Sequence, residues 1–70
     1  MTIKQKEIAK QFGVTVGMIS HLKLGRRHTI NRYLAMEVAR LSGKPPIEHI
    51  SPELRDVFIR AFPELSRKMQ

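Results

Sequence analysis

The sequence predicts an all-α fold, a single small domain of about four helices. Three observations predict it. Apolar residues recur at the three- and four-residue spacing of a helix, and no stretch alternates as a half-buried strand does. Glycine and proline punctuate those stretches at Gly13, Gly25, Gly43, Pro52 and Pro63. The chain has 70 residues, room for one domain (1–70) whose own core is marginal.

The elements follow in order. Thr2 and Gln5 have capping-box spacing, each side chain serving a free backbone N–H at the start of a first helix. That helix runs through "IKQKEIAKQF", with Ile8, Ala9 and Phe12 on one face, and Gly13 ends it. Thr15 is a natural cap for a second helix through "VGMISHLKL", with Ile19 and Leu22 facing inward and Gly25 as the stop. After a basic loop, Asn31, or else Thr29, caps a third helix reaching about Ser42. Its Ile30, Leu34, Val38 and Leu41 recur at helical spacing. "GKPP" reads as a hinge, since Gly43 ends the helix and two prolines forbid its continuation. Ser51-Pro52-Glu53 starts the last helix, with Leu54, Val57, Phe58 and Ala61 on one face and Pro63 as stop or kink.

Charge divides the chain. Residues 1–44 hold nine Lys or Arg against Glu7 and Glu37, which accounts for the whole net charge of +7. Residues 45–70 hold four charges of each sign. An excess of this kind favours anionic partners, and means more when a recognition motif lies in the same segment. With no cysteine, disulfides and thiolate metal sites are excluded, and a reducing compartment fits. No apolar run is long enough to span a membrane, and the N-terminus lacks the apolar core of a secretory signal. A cytoplasmic protein is expected.

Two short helices joined by a tight, glycine-containing turn describe a helix-turn-helix. Counting from Gln5, Ile8 and Ala9 are fourth and fifth, Gly13 ninth, Val14 tenth, Ile19 fifteenth and Leu22 eighteenth. Ala9 is small where the second helix crosses closely. Gly13 takes the positive φ of the turn, and Val14, Ile19 and Leu22 fill the wedge between the helices. "KEIAKQFGVTVGMISHLKLGRR" resembles the helix-turn-helix of the Cro and λ-repressor family of small phage and bacterial regulators. "TINRYLAMEVARLSG" is similar to the helix that follows in those domains, so the resemblance covers about residues 4–43. Members usually carry a helix before the motif, and this chain begins with the motif's first helix. The helix after Ser51 is expected to cover the side of the core thus left open, to pair with a second subunit, or both.

The resemblance implies a recognition helix at about residues 16–24 lying in the major groove of duplex DNA. Carried over position by position, the base-reading set is Thr15, Val16, Gly17, Ser20 and His21, and Gln5 matches a position that holds the phosphate backbone. Val16 has methyls to pack on a thymine methyl, and Gly17 lets the backbone approach the duplex. Val16 and Met18 are otherwise semi-exposed apolar residues touching a neighbouring subunit. Lys23, Arg26, Arg27 and His28 follow the second helix and are expected at phosphates, with Asn31 and Tyr33 also in reach. On this reading Arg27→Ala weakens binding to every sequence, whereas Ser20→Ala or His21→Ala shifts the preferred site.

No cofactor, metal or catalytic residue is expected. His21, His28 and His49 lack ligand spacing, adjacent Ser20 and His21 point different ways on a helix, and no phosphate loop or carboxylate cluster occurs. The chain reads as a non-enzyme. The last helix has Leu54, Val57, Phe58, Ile59, Ala61 and Phe62, with Leu65 beyond, a stripe wider than core closure needs. Ile59, Phe62 and Leu65 are the residues expected at a homodimer interface. The expected partner is therefore double-stranded DNA, bound by a homodimeric regulator, most simply a repressor at phage or bacterial operators. Two other readings stand beside it: an antitoxin or anti-regulator using the last helix to bind protein, and a DNA-packaging or recombination adaptor.

Overall fold

The computed structural model describes residues 4–67. Its framework is four α-helices: α1 (Gln5–Phe12), α2 (Val16–Lys23), α3 (Arg32–Ser42) and α4 (Arg55–Ala61). Single 3₁₀ turns at Pro46–His49, Pro52–Leu54 and Pro63–Ser66 connect and follow the last two. Among the described residues strand pairing is confined to one isolated bridge, Thr29 beside Ile50. None of these helices is long and apolar enough to cross a membrane.

Local chemistry accounts for the first three helices. Gly13 ends α1 at φ 67°, its N–H donating to the Ala9 and Lys10 carbonyls; a side chain in that conformation costs about 1–2 kcal/mol. Two residues later the Thr15 hydroxyl accepts the Met18 N–H at 3.0 Å and opens α2. Asn31 opens α3, its side-chain oxygen accepting the N–H groups of Tyr33 at 3.0 Å and Leu34 at 3.3 Å.

Several boundaries differ from the sequence reading. Lys4, extended and without a side-chain bond, is the residue capping α1, so Gln5 opens the helix instead of closing a capping box; Thr2 lies outside the described residues. Because Asn31 caps α3, Ile30 precedes the helix and is exposed instead of continuing its apolar face. Ser51 provides no side-chain cap. Its carbonyl accepts the Leu54 N–H at 2.9 Å in a 3₁₀ turn, and α4 begins only at Arg55.

The packing has two centres, and α3 belongs to both. Leu34 and Val38 close a first core with Ile8 and Ala9 of α1 and Ile19 and Leu22 of α2. Ala35 of α3 packs instead into a second core with Ile47, Ile50 and Leu65, all but inaccessible, against which Leu54, Phe58 and Phe62 are half-buried. This second core is what α4 covers. Ala35 and Ala39 are fully buried, and their small size lets neighbouring segments approach α3 closely.

The proline-rich connection is therefore not a hinge. Pro46 and Ile47 are buried against α3, and burial of this kind fixes a corner. The tripeptide Pro-Glu-Leu occurs twice, at 52–54 and 63–65, each time as a 3₁₀ turn that delivers its leucine to the second core. Leu65 is fully buried within its own chain, so it offers no surface to a partner, and its assignment to a dimer interface is withdrawn. Phe62 is half-buried: it packs edge-on to Phe58 at 6.4 Å, and the Arg32 guanidinium lies 3.7 Å from its ring centroid. The half-buried line along α4 and its caps runs through Leu54, Phe58 and Phe62. Val57 and Ala61, expected inward, are exposed, because the side that meets the second core is the i, i+4, i+8 line of Leu54, Phe58 and Phe62.

Candidate nucleic-acid interface

At the start of α2 the chain exposes Thr15, Val16 and Gly17 in succession, while Ile19 and Leu22 anchor the opposite face at zero exposure. A helix that must bury two large aliphatic side chains on one side can rotate very little, so the exposed face is fixed by the core. Ser20 is half-buried and His21 exposed, one turn further along. All five residues expected to read bases are thus on α2 or its cap.

Val16 is 46% exposed, a large apolar group left in water at the end of the helix where an apolar ligand feature such as a methyl could cover it. Gly17 is not demanded by the fold. A Cβ there would meet only the Thr15 hydroxyl, at an ordinary 3.8 Å, and its φ is not left-handed. Glycine inside a helix is about 1 kcal/mol worse than alanine. Gly17→Ala is accordingly expected to raise the free energy of unfolding by up to about 1 kcal/mol, read from denaturant midpoints. A destabilised variant would mean that the space around residue 17 is needed by the fold itself.

The basic residues flank this face. Lys23 is half-buried in the last turn of α2, Arg26 and Arg27 are exposed, and His28 is half-buried where the chain turns toward α3. The loop is folded onto the helix end: the N–H groups of Arg26 and Arg27 donate to the His21 carbonyl at 2.9 and 3.3 Å. Asn31 is exposed, with its side-chain oxygen committed to capping. Gln5 is half-buried as the first residue of α1. Among the described residues the one ion pair joins Arg40 to Glu37 at 3.7 Å, and the cations around α2 have no acidic partner among them.

Three cationic or titratable side chains have roles that the sequence did not reveal. Arg32 donates to the Tyr33 hydroxyl at 2.7 Å and stacks over Phe62, which ties the start of α3 to the residue that ends α4. Arg55 donates to the carbonyls of Ile50 at 3.1 Å and Glu48 at 3.0 Å, holding the corner after α3. His49 is almost wholly buried, with Nε2 at 2.8 Å from the Ser42 hydroxyl and Nδ1 without a partner. Nothing in the spacing of these residues distinguishes them from ordinary surface charge. Among the described residues no three His, Asp or Glu side chains gather as a metal site would require.

Comparison with protein-family models, with curated proteins and with solved structures finds no match to this chain. The functional reading therefore rests on the residues and their geometry.

Proposed function

We propose that this chain is a sequence-specific double-stranded-DNA-binding regulator of transcription, in which α1, the turn at residues 13–15 and α2 act as a helix-turn-helix. The supporting observation is the exposed first turn of α2, Thr15, Val16 and Gly17, on a helix whose far end and following loop carry Lys23, Arg26 and Arg27 with no acidic partner among the described residues. Duplex DNA presents a groove that admits a helix between two rows of phosphates, and such a surface complements both. Thr15, Val16, Gly17, Ser20 and His21 face the base edges, with Val16 suited to a thymine methyl. Lys23, Arg26, His28, Asn31 and Gln5 border the phosphates. A two-fold dimer would present two α2 helices to half-sites about 34 Å apart. On α4 the large apolar residues left for such a partner are Val57 and Ile59, 60% and 38% exposed.

The test is selection of bound sites from a random duplex pool at near-physiological salt. An enriched inverted repeat with half-sites about one helical turn apart is expected. With roughly six phosphates neutralised, log K should fall against log[salt] with a slope near −5. Ser20→Ala and His21→Ala should shift the enriched sequence. Salt-dependent binding with no enriched sequence would reduce DNA to an electrostatic surface and remove the regulator reading.

A further inference from the structure

We propose that Arg27 is a base-reading residue that takes the major-groove edge of a guanine, in place of the phosphate contact its loop position suggests. This rests on the helix-turn-helix reading. Three observations carry it. Gly25, at φ 79°, reverses the chain after α2, and the bonds from Arg26 and Arg27 to the His21 carbonyl hold the loop against the helix. The Arg27 side chain consequently runs back along α2, where its Nη1 donates to the Met18 sulfur at 3.8 Å, nine residues earlier in sequence. Met18 belongs to the first turn of α2, the end that a recognition helix puts deepest into the groove. A guanidinium holding a phosphate beyond the helix would point away from that turn.

The second observation is what the first turn lacks. Val16 and Gly17 have no polar side chain, and the Thr15 hydroxyl already accepts the Met18 N–H at 3.0 Å. None of the three can place two donors in one plane. The third is what Arg27 has to spare. Among the described residues its one side-chain hydrogen bond is to a thioether, a weak acceptor, and it forms no ion pair, so most of its five N–H groups are uncommitted there. A guanine offers N7 and O6 side by side as acceptors, which the planar fork of an arginine matches. Val16 and Arg27 then divide the work on the two flanks of α2, the one apolar and the other bidentate.

The experiment starts from the duplex selected by the wild-type chain and replaces each guanine of the half-site in turn by 7-deazaguanine, which lacks the N7 acceptor. At one guanine the wild type is expected to lose about tenfold in affinity, while Arg27→Ala binds the parent and substituted duplexes alike. Arg27 is exposed, so its removal leaves both cores intact. A purely phosphate-holding Arg27 gives the opposite pattern: Arg27→Ala weakens every duplex equally, lowers the salt slope by about one, and still distinguishes the substituted guanine. That result overturns the assignment and leaves the DNA reading standing. A wild type that selects no sequence overturns both.

Discussion

Replacing Leu65 by alanine is expected to lower the free energy of unfolding by about 2–5 kcal/mol. Leu65 has no accessible surface and packs with Ala35, Ile47 and Ile50, so truncation leaves a cavity that rigid neighbours fill only in part. A domain of this length is stable by roughly 4–10 kcal/mol, and the loss is a large share of that. Ile59→Ala, on the exposed side of α4, should cost well under half as much. Denaturant midpoints at two protein concentrations separate the explanations. A core residue gives a loss independent of concentration, whereas an interface residue gives one that shrinks on dilution as both proteins become monomeric. A neutral Leu65→Ala would detach the end of the chain from the second core.

Acid should weaken the fold through His49. Its imidazole is buried, Nε2 is paired with Ser42, and Nδ1 has no hydrogen bond of ordinary geometry, the nearby Leu22 backbone serving it weakly. A protonated ring would bury a charge and two N–H donors, one of them poorly met. Burial, first among the causes, pushes its pKa below the usual 6.5; Lys44 and His28 add to this, while the Leu22 backbone and Glu48 oppose it. In the unfolded chain the ring takes up its proton near the ordinary value, so the unfolded state binds more protons wherever the two differ. Stability from this group is complete above about pH 6.5 and declines as pH falls through the lowered native value. Midpoints of urea unfolding at about pH 7.5 and about pH 5.5 should therefore differ for the wild type. His49→Gln, which cannot titrate, should flatten that difference. An unchanged difference in the variant would assign the acid response to another group.

What the sequence made legible was decided locally. Gly13, Thr15 and Asn31 satisfy backbone groups within a few residues of themselves, so their caps can be read from residue type and position alone. Ile8, Ile19 and Leu22 were legible for a similar reason, since helical periodicity brings them to one face. The second core was not. Leu65 follows a proline after the last helix, and a leucine there reads equally well as surface; its burial depends on Ala35 and Ile50, distant in sequence. From sequence Pro46 and Pro63 read as helix breaks and Pro52 as the first residue of an α-helix, whereas the fixed φ of proline opens a 3₁₀ turn at all three. The first turn of α2 was legible as an exposed, weakly polar surface. The return of Arg27 along it was not, because that depends on how Gly25 folds the loop back.

The sharing of α3 between two cores bears on how this chain comes apart. Each core is small, and neither owns its central helix: Leu34 and Val38 serve one, Ala35 the other. Opening either exposes a face of α3, which leaves the remaining core without a rigid wall. The two halves should therefore unfold as one unit in spite of their different charge. In amide hydrogen exchange, the N–H groups of Val38 and Ala39 should be released only by global opening, whereas those in the residue 26–28 loop exchange through local fluctuation. The loop at residues 26–28 can therefore rearrange while α3, the wall common to both cores, stays closed.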